Sequence, residues 1–546
     1  SNLASFITKE QYPYLCKLIA DTKIQKLDHI FQTREDKYGI LKSLNLKRRY
    51  LRQWGLEALL EYKVNSLEDV NLEKNVIDEK GIEELCSKTE WKNLRRLDLS
   101  ENEFGNAGCL TISRNTTWQN LKSLILKDNK ISSDGLIRMV ENQNWCDLEE
   151  IDLTQNQIDD QGVVVIANNT TWIKLRRLCL AYNKVGPEGG AAIGENTIWK
   201  ELEELDLSNN KIGDKGAISI SSNANWNNLR KLNLSNNSIG DEGGVAIGKN
   251  VSWKNLEELE ITKNPFGVKG MICIVSNTSW INLKKLTSRL NPLSEGWAEE
   301  VGEAIGRNTS WKNLEQLDIA TLGIKTKGAT SISSNSTWSN LRKLDLAGNK
   351  SGDEGAKAIG KNTSWENLER LMLLNNCIKD EGAICISGNI YWSNLRILIL
   401  IRNNIGDDGA IAIAMNTTWK NLEALNLQWN EIGDRGAVEI GRNASWTNLR
   451  SLILQKNKIG DLGGVAIGRN TAWKKLQALW LGSNPIGWKT VVAVGCNSTW
   501  KAIQKIRVME ISELCSERIN ALKAILLPEN KQALFKGTDY EESSQI

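Results

Sequence analysis

The largest side chain recurs at a fixed step through most of this chain. Trp91, Trp118, Trp145, Trp172, Trp199, Trp226, Trp253 and Trp280 lie 27 residues apart, and so do Trp311, Trp338, Trp365, Trp392, Trp419, Trp446, Trp473 and Trp500. Between the two series the step is 31 rather than 27, so four residues have entered one unit, around Ser294 to Glu300. A fixed step of this size means one supersecondary unit, repeated and stacked. A chain of 546 residues would otherwise divide into several domains, because single cores stop growing at roughly 250–300 residues. Stacked units escape that limit, since each packs only on its neighbours.

Three residues after each Trp an apolar pattern begins, as in Leu202, Leu205 and Leu207 followed by Asn210. The alternation at its end marks a short strand with one buried face. Ile212-Gly213-Asp214 then reads as a turn, its Asp expected to cap the helix that follows from about Gly216. Each unit is strand, turn, short helix and return. Units of equal length set strand on strand and helix on helix, which predicts a parallel sheet on the inside of an arc and helices outside.

The pattern Leu-x-x-Leu-x-Leu-x-x-Asn-x-Ile-Gly-Asp-x-Gly resembles the leucine-rich-repeat family, and specifically its ribonuclease-inhibitor-like class, also found in NOD-like receptors. The resemblance runs from about residue 41 to about residue 508, through strand motifs beginning at Leu41, Leu67, Leu94 and every later unit to Ile503. It implies an α/β fold, a leucine-rich-repeat solenoid (horseshoe) of about 18 repeats with a concave parallel β-sheet and convex helices. The expected organisation is an N-terminal helical cap (1–40), the solenoid (41–510), a C-terminal helical cap (511–536) and a tail (537–546).

Two regularities belong to the scaffold. The Asn at the ninth motif position (Asn102, Asn129, Asn156, Asn183, Asn210, Asn237) carries an amide able to satisfy turn backbone groups. The second position alternates in sign, from Glu149, Arg176, Glu203, Arg230, Glu257 and Lys284 to Glu315, Arg342, Glu369, Arg396, Glu423 and Arg450. On adjacent strands these become opposite-charge neighbours, worth about 0.2–1 kcal/mol each. The Trp ladder is placed to stack inside the coils rather than to bind ligand. Recurrent Asn-Thr-Ser/Thr-Trp segments (Asn115, Asn169, Asn277, Asn308, Asn362, Asn416) match the N-glycosylation pattern, yet fall at one fixed turn and read as turn chemistry.

Catalytic chemistry finds few residues to use. His29 is the single histidine and lies in the N-terminal cap segment, away from any Ser, Cys or metal-ligand partner in the repeats. No phosphate-binding Gly-x-x-x-x-Gly-Lys-Ser/Thr occurs. The reading is therefore no enzyme, no cofactor and no metal. Lys+Arg of 69 against Asp+Glu of 66 leaves +3, too little to indicate a nucleic-acid partner. Ten cysteines without paired spacing read as reduced thiols, placing the chain in a reducing, cytoplasmic compartment or, after secretion, in the cytoplasm of a host cell. There is no span of about 20 apolar residues and no leader-like start at Ser1-Asn2-Leu3.

Binding is expected where the repeat does not dictate the residue: the third, fifth and seventh motif positions, which point from the sheet to solvent. Early units carry polar residues there, such as Arg96, Asp98 and Ser100 or Glu204, Asp206 and Ser208. From Leu368 onward the character changes to Arg370, Met372 and Leu374, then Ile397, Ile399 and Ile401, then Gln428 with Trp429, Ile453 with Gln455, and Trp480, flanked by Arg402 and Lys456. An apolar strip with a charged rim has the make-up of an interface, and these residues are the expected partner site. A second copy of the chain or the C-terminal cap is the alternative occupant. A second irregular stretch, Leu283 to Gly328, has Ser288 for a strand Leu, Trp297 in the insertion and Leu322 for a ladder Asn.

The functional expectation is a non-enzymatic scaffold holding a protein partner on its concave face, with a host-directed effector of an intracellular bacterium as the setting. The alternatives are an innate-immune sensor or inhibitor-type repeat module, or a ubiquitin-ligase substrate adaptor, the last needing an F-box-like helix set that residues 10–31 match weakly. The acidic tail Gly537 to Ile546 resembles bacterial type IV translocation signals, and Ser544-Gln545-Ile546 a PDZ-domain ligand.

Overall fold

The computed structural model describes residues 42–61, 66–88, 91–291 and 298–508. The two end segments, the caps expected there, His29, Trp297 and the tail lie outside these residues. The chain forms two compact units, one ending at Leu256 and the other beginning at Glu257.

In the first unit the strands Ser43–Asn45, Asp69–Asn71, Arg96–Asp98, Ser123–Ile125, Glu150–Asp152, Arg177–Cys179, Glu204–Asp206 and Lys231–Asn233 pair in sequence order, all parallel. The second unit repeats this from Glu258–Glu260 to Lys505–Arg507. Each strand is three residues long, which is all the motif allows before the turn. Leu286 nonetheless pairs with Leu317 in register. The extra residues are absorbed between Asn291 and the helix Ala298–Arg307, leaving the sheet undisturbed.

One coil shows how the residues make the core. Trp392, Leu395, Leu398 and Leu400 from the strand side, with Ile405, Ala410 and Ile413 from the turn and helix, are all fully buried. The tryptophans supply the bulk: at about 25 cal/mol per Å², burying one removes roughly 150–250 Å² from water and contributes about 4–6 kcal/mol before conformational entropy is subtracted.

The ninth-position Asn behaves as its chemistry predicts. Asn403 donates its amide to the carbonyls of Leu400 (3.0 Å) and, on the preceding coil, Leu373 (2.9 Å), while its Oδ1 accepts the N–H groups of Asn376 and Ile378 (both 3.0 Å). The Asn before each Trp is also structural. Asn416 is 7% exposed, accepts from Thr418 and Trp419 (2.9 and 3.0 Å), and donates to the Ser387 carbonyl (2.7 Å). The alternating charges pair across strands as Lys122–Glu149 and Arg176–Glu203 in the first unit, and Lys284–Glu257, Arg342–Glu369 and Arg396–Glu423 in the second. The eight cysteines among the described residues form no disulfide.

The turn aspartate departs from expectation. Asp407 does not cap its own helix, Asp407–Met415, whose N-cap is Gly406. Its Oδ1 accepts the N–H groups of Gly433 and Gly436 on the next coil, both at 2.8 Å. Asp160, Asp214, Asp380, Asp434 and Asp461 act likewise. The reason is geometric. Stacked coils bring the unpaired N–H groups of the neighbouring helix start within reach of a carboxylate that is itself inside its own first turn. Asp159 and Asp78 do bond their own turns, at Gln161 and Gly81. The glycines follow from the same approach: a Cβ on Gly436 would lie 2.9 Å from Asp407 Oδ1, and one on Gly441 would lie 2.5 Å from the backbone of Ala466.

At the irregular unit, Ser288 Oγ accepts the Asn291 amide (2.7 Å), and Leu322, 1% exposed, fills the ladder site with an apolar side chain.

Candidate functional site

All the expected partner-site residues lie in the second unit, on successive strands or in the turns that directly follow them. Register places Met372, Ile399, Asn426, Ile453, Trp480 and Arg507 in one row at the fifth position. A parallel row at the third position runs Arg370, Ile397, Ala424, Ser451, Ala478 and Lys505. The strip is thus contiguous, but part of it is dry. Met372 and Ile399 are 8% exposed and Ile453 3%, and Gln455 is closed as well. In-register strands only about 4.8 Å apart bring like positions side by side, so fifth-position side chains shield one another. These four do not present free surface, contrary to the expectation for fifth and seventh positions.

What remains open is narrower. Leu374, Ile397, Ile401, Gln428 and Trp480 are half-buried, and Arg402 and Lys456 are exposed. Trp429, 42% exposed, is the apolar summit of the strip. Lys456 Nζ stands 3.8 Å from the centre of its ring and the Arg402 guanidinium 5.3 Å. Arg507 stacks over Trp480 at 5.7 Å. These three neighbours follow from the repeat, since Arg402, Trp429 and Lys456 share the eighth position on consecutive coils.

The sequence reading missed a second cluster, on the strands just before the strip. Arg289, at the seventh position, reaches Asp318 (2.7 Å) and, one strand further, Asp345. Lys343 adds a longer pair to Asp318 (3.6 Å). Burial first, and the neighbouring Asp345 second, push the Asp318 carboxyl above its usual range against the pull of Arg289 and Lys343. An Arg among Thr, Ser and Ala at seventh positions was the available signal. Among the described residues no group of three His, Cys, Asp or Glu side chains is placed to hold a metal. An open groove of about 610 Å³, lined by Val465, Trp488, Val492 and Cys496, lies on the helix side of the last coils rather than on the sheet.

The profile of the leucine-rich repeat matches residues 92–113, 119–140, 146–167, 173–194, 202–221, 227–248, 254–275, 339–360, 366–387, 393–414, 420–441 and 447–468. The chain belongs to the leucine-rich-repeat family. The matches skip the irregular stretch around Ser288 and Leu322, where the repeat consensus is broken. No curated protein matches the chain in sequence. Among solved structures it is similar to the PEPR1–AtPEP1 complex, at 21% identity and a TM-score of 0.47, over 87% of this chain and 59% of that one. It is also similar to an internalin (inlF) from Listeria monocytogenes, at 17% identity and 0.42, over 78% and 93%. A third is the leucine-rich-repeat ectodomain of the Arabidopsis receptor kinase HAESA with an IDA peptide hormone, at 17% and 0.43, over 87% and 79%. The chain spans 59% of the length of the first of these. No helix among the described residues is long and apolar enough to cross a membrane.

Proposed function

We propose that this leucine-rich-repeat protein is a non-enzymatic scaffold that holds a protein partner on the solvent face of the sheet between Arg370 and Trp480. The observation that carries this reading is Trp429: a large aromatic left 42% exposed between two cations, at the summit of a row of half-buried aliphatics. Tryptophan and arginine are the residue types that dominate binding energy at interfaces. The left-handed backbone at Trp429 (φ +58°) belongs to the repeat, since the eighth position is left-handed from Glu101 through Arg402 and Lys456 to Ser483.

The setting proposed is that of a host-directed effector of an intracellular bacterium, on the strength of a Lys-, Asn- and Ile-rich composition and near-identical units. The test uses residues that reach solvent, the exposed Trp429 and the half-buried Ile401, because a charge at the closed Ile399 would disturb the sheet itself. Trp429→Ala combined with Ile401→Ser is compared with the parent protein in affinity capture from host-cell lysate, the fold being checked by circular dichroism. Loss of the captured partner by a folded variant is expected; capture at the parent level refutes the site.

A further inference from the structure

Resting on that reading of the site, the charge distribution says what kind of partner segment fits it. The four strands that open the second unit carry Glu258, Glu260, Asp318 and Asp345 on the sheet face, each in an ion pair with Lys285, Arg289 or Lys343. That part of the face neutralises itself. From the strand Arg370–Met372 to the strand Lys505–Arg507, the third, fifth, seventh and eighth positions among the described residues hold Arg370, Arg402, Lys456, Lys505 and Arg507 and no Asp or Glu. Among the described residues no ion pair joins Arg370, Arg402, Lys456 or Lys505 to a carboxylate. Arg402 and Lys456 rest on the Trp429 ring, and the Nε of Arg370 is shielded from solvent without a hydrogen-bond acceptor.

An N–H held dry without an acceptor costs about 1–3 kcal/mol, and a guanidinium is built to take a carboxylate in bidentate fashion. Among the described residues, Arg370, Arg402, Lys456 and Lys505 therefore lack the carboxylate partners that the preceding strands supply to their own cations.

We infer that the strip receives a partner segment in which carboxylates bracket apolar or aromatic side chains. The spacing follows from the register. Arg402 and Lys456 stand two strands apart, or roughly 10 Å at about 4.8 Å per strand, and in an extended chain at about 3.3 Å per residue side chains share a face at every second residue, so carboxylates four residues and about 13 Å apart fall within reach of these two long side chains. The recognised unit is Asp/Glu-x-apolar-x-Asp/Glu, laid across the strands. The apolar residue packs on Trp429 and Ile401, and the carboxylates draw Arg402 and Lys456 from the ring. Salt would weaken such a complex, since rim charges act through screened attraction.

The experiment is selection from a display library of random short peptides on the full-length protein, followed by binding of the winners to Trp429→Ala and to Arg402→Glu with Lys456→Glu. The expected result is a consensus rich in Asp and Glu around aliphatic or aromatic residues, with binding that falls at least about tenfold in both variants. Winners that need Trp429 but show no acidic bias and ignore the charge reversal overturn this inference and leave the partner site standing. Absence of any winner that depends on Trp429 overturns both. Two further readouts remove the other occupants. Dimerisation of the parent protein that the charge reversal abolishes would assign the strip to a second copy. Displacement of the winners by a synthetic peptide of residues 537–546, with its Asp539, Glu541 and Glu542, would assign it to the chain's own acidic tail. Either outcome defeats the partner assignment.

Discussion

Replacing Asn430 by Ala tests the turn ladder at a position where the loss can be counted. Asn430 is 6% exposed; its amide donates to the carbonyls of Leu400 (2.9 Å) and Leu427 (3.0 Å), and its Oδ1 accepts the N–H of Ile405 (3.1 Å). The carbonyls keep other donors, Leu400 from the Asn403 amide and Leu427 from the Asn457 amide. Ile405 N–H loses the acceptor it has, inside a fully buried residue. One orphaned buried donor costs about 1–3 kcal/mol and the two weakened acceptors about 0.5–1 kcal/mol each, so the variant should lose roughly 2–5 kcal/mol. Because coils couple mainly to their neighbours, the loss should appear locally. Hydrogen exchange read by mass spectrometry should show deprotection over residues 400–430, together with a lowered urea midpoint. Asn404→Ala, at an exposed site in the same turn, is the control and should stay within about 0.5 kcal/mol. An Asn430→Ala variant as stable as that control would refute the ladder.

Three further outcomes follow from the same geometry. Burial raises the carboxyl of Asp461, but the Thr490 hydroxyl and the N–H groups of Gly487 and Thr490 outweigh it, leaving the pKa below its usual value. A depressed folded-state pKa contributes stability that is present above the unfolded value and lost as pH falls through the folded one. The last coils should therefore weaken below about pH 4, and Asp461→Asn should flatten that part of a stability-versus-pH profile. Removing the guanidinium with Arg289→Ala leaves Asp318 and Asp345 without their nearest cation. After allowance for the exposure of Arg289, the cost at neutral pH is about 1–3 kcal/mol. Asp318 already titrates high, so the deficit should shrink as acid protonates it; a deficit that grows on acidification would be against the assignment. Gly360→Ala places a methyl 2.4 Å from the Cys385 carbonyl oxygen on the next coil, which forces two helices apart at about 1–3 kcal/mol; an unchanged thermal midpoint would contradict it.

Much of the fold was legible because period carries it. Trp every 27 residues, a Leu triplet and a fixed Asn each have one place in the coil, and the charge alternation pairs wherever strands lie in order. The candidate site was legible in part: its strands, Trp429 and the two flanking cations share one motif column, whereas the closure of Met372, Ile399 and Ile453 does not show until side chains of neighbouring strands occupy space together.

The sequence by itself determined the repeat, its element order, its parallel register and the apolar strip, since these depend on residues recurring at equal spacing. Tertiary structure alone decided which partner some side chains take across the boundary between coils. Asp407 serves the helix at Gly433 rather than its own, and Arg289 reaches Asp345 two strands away. In a chain of near-identical units, an interaction within a unit and one with its neighbour have the same sequence signature. Only the stacking distance between coils tells them apart, and that same distance shut part of the strip and left Trp429 standing out of it.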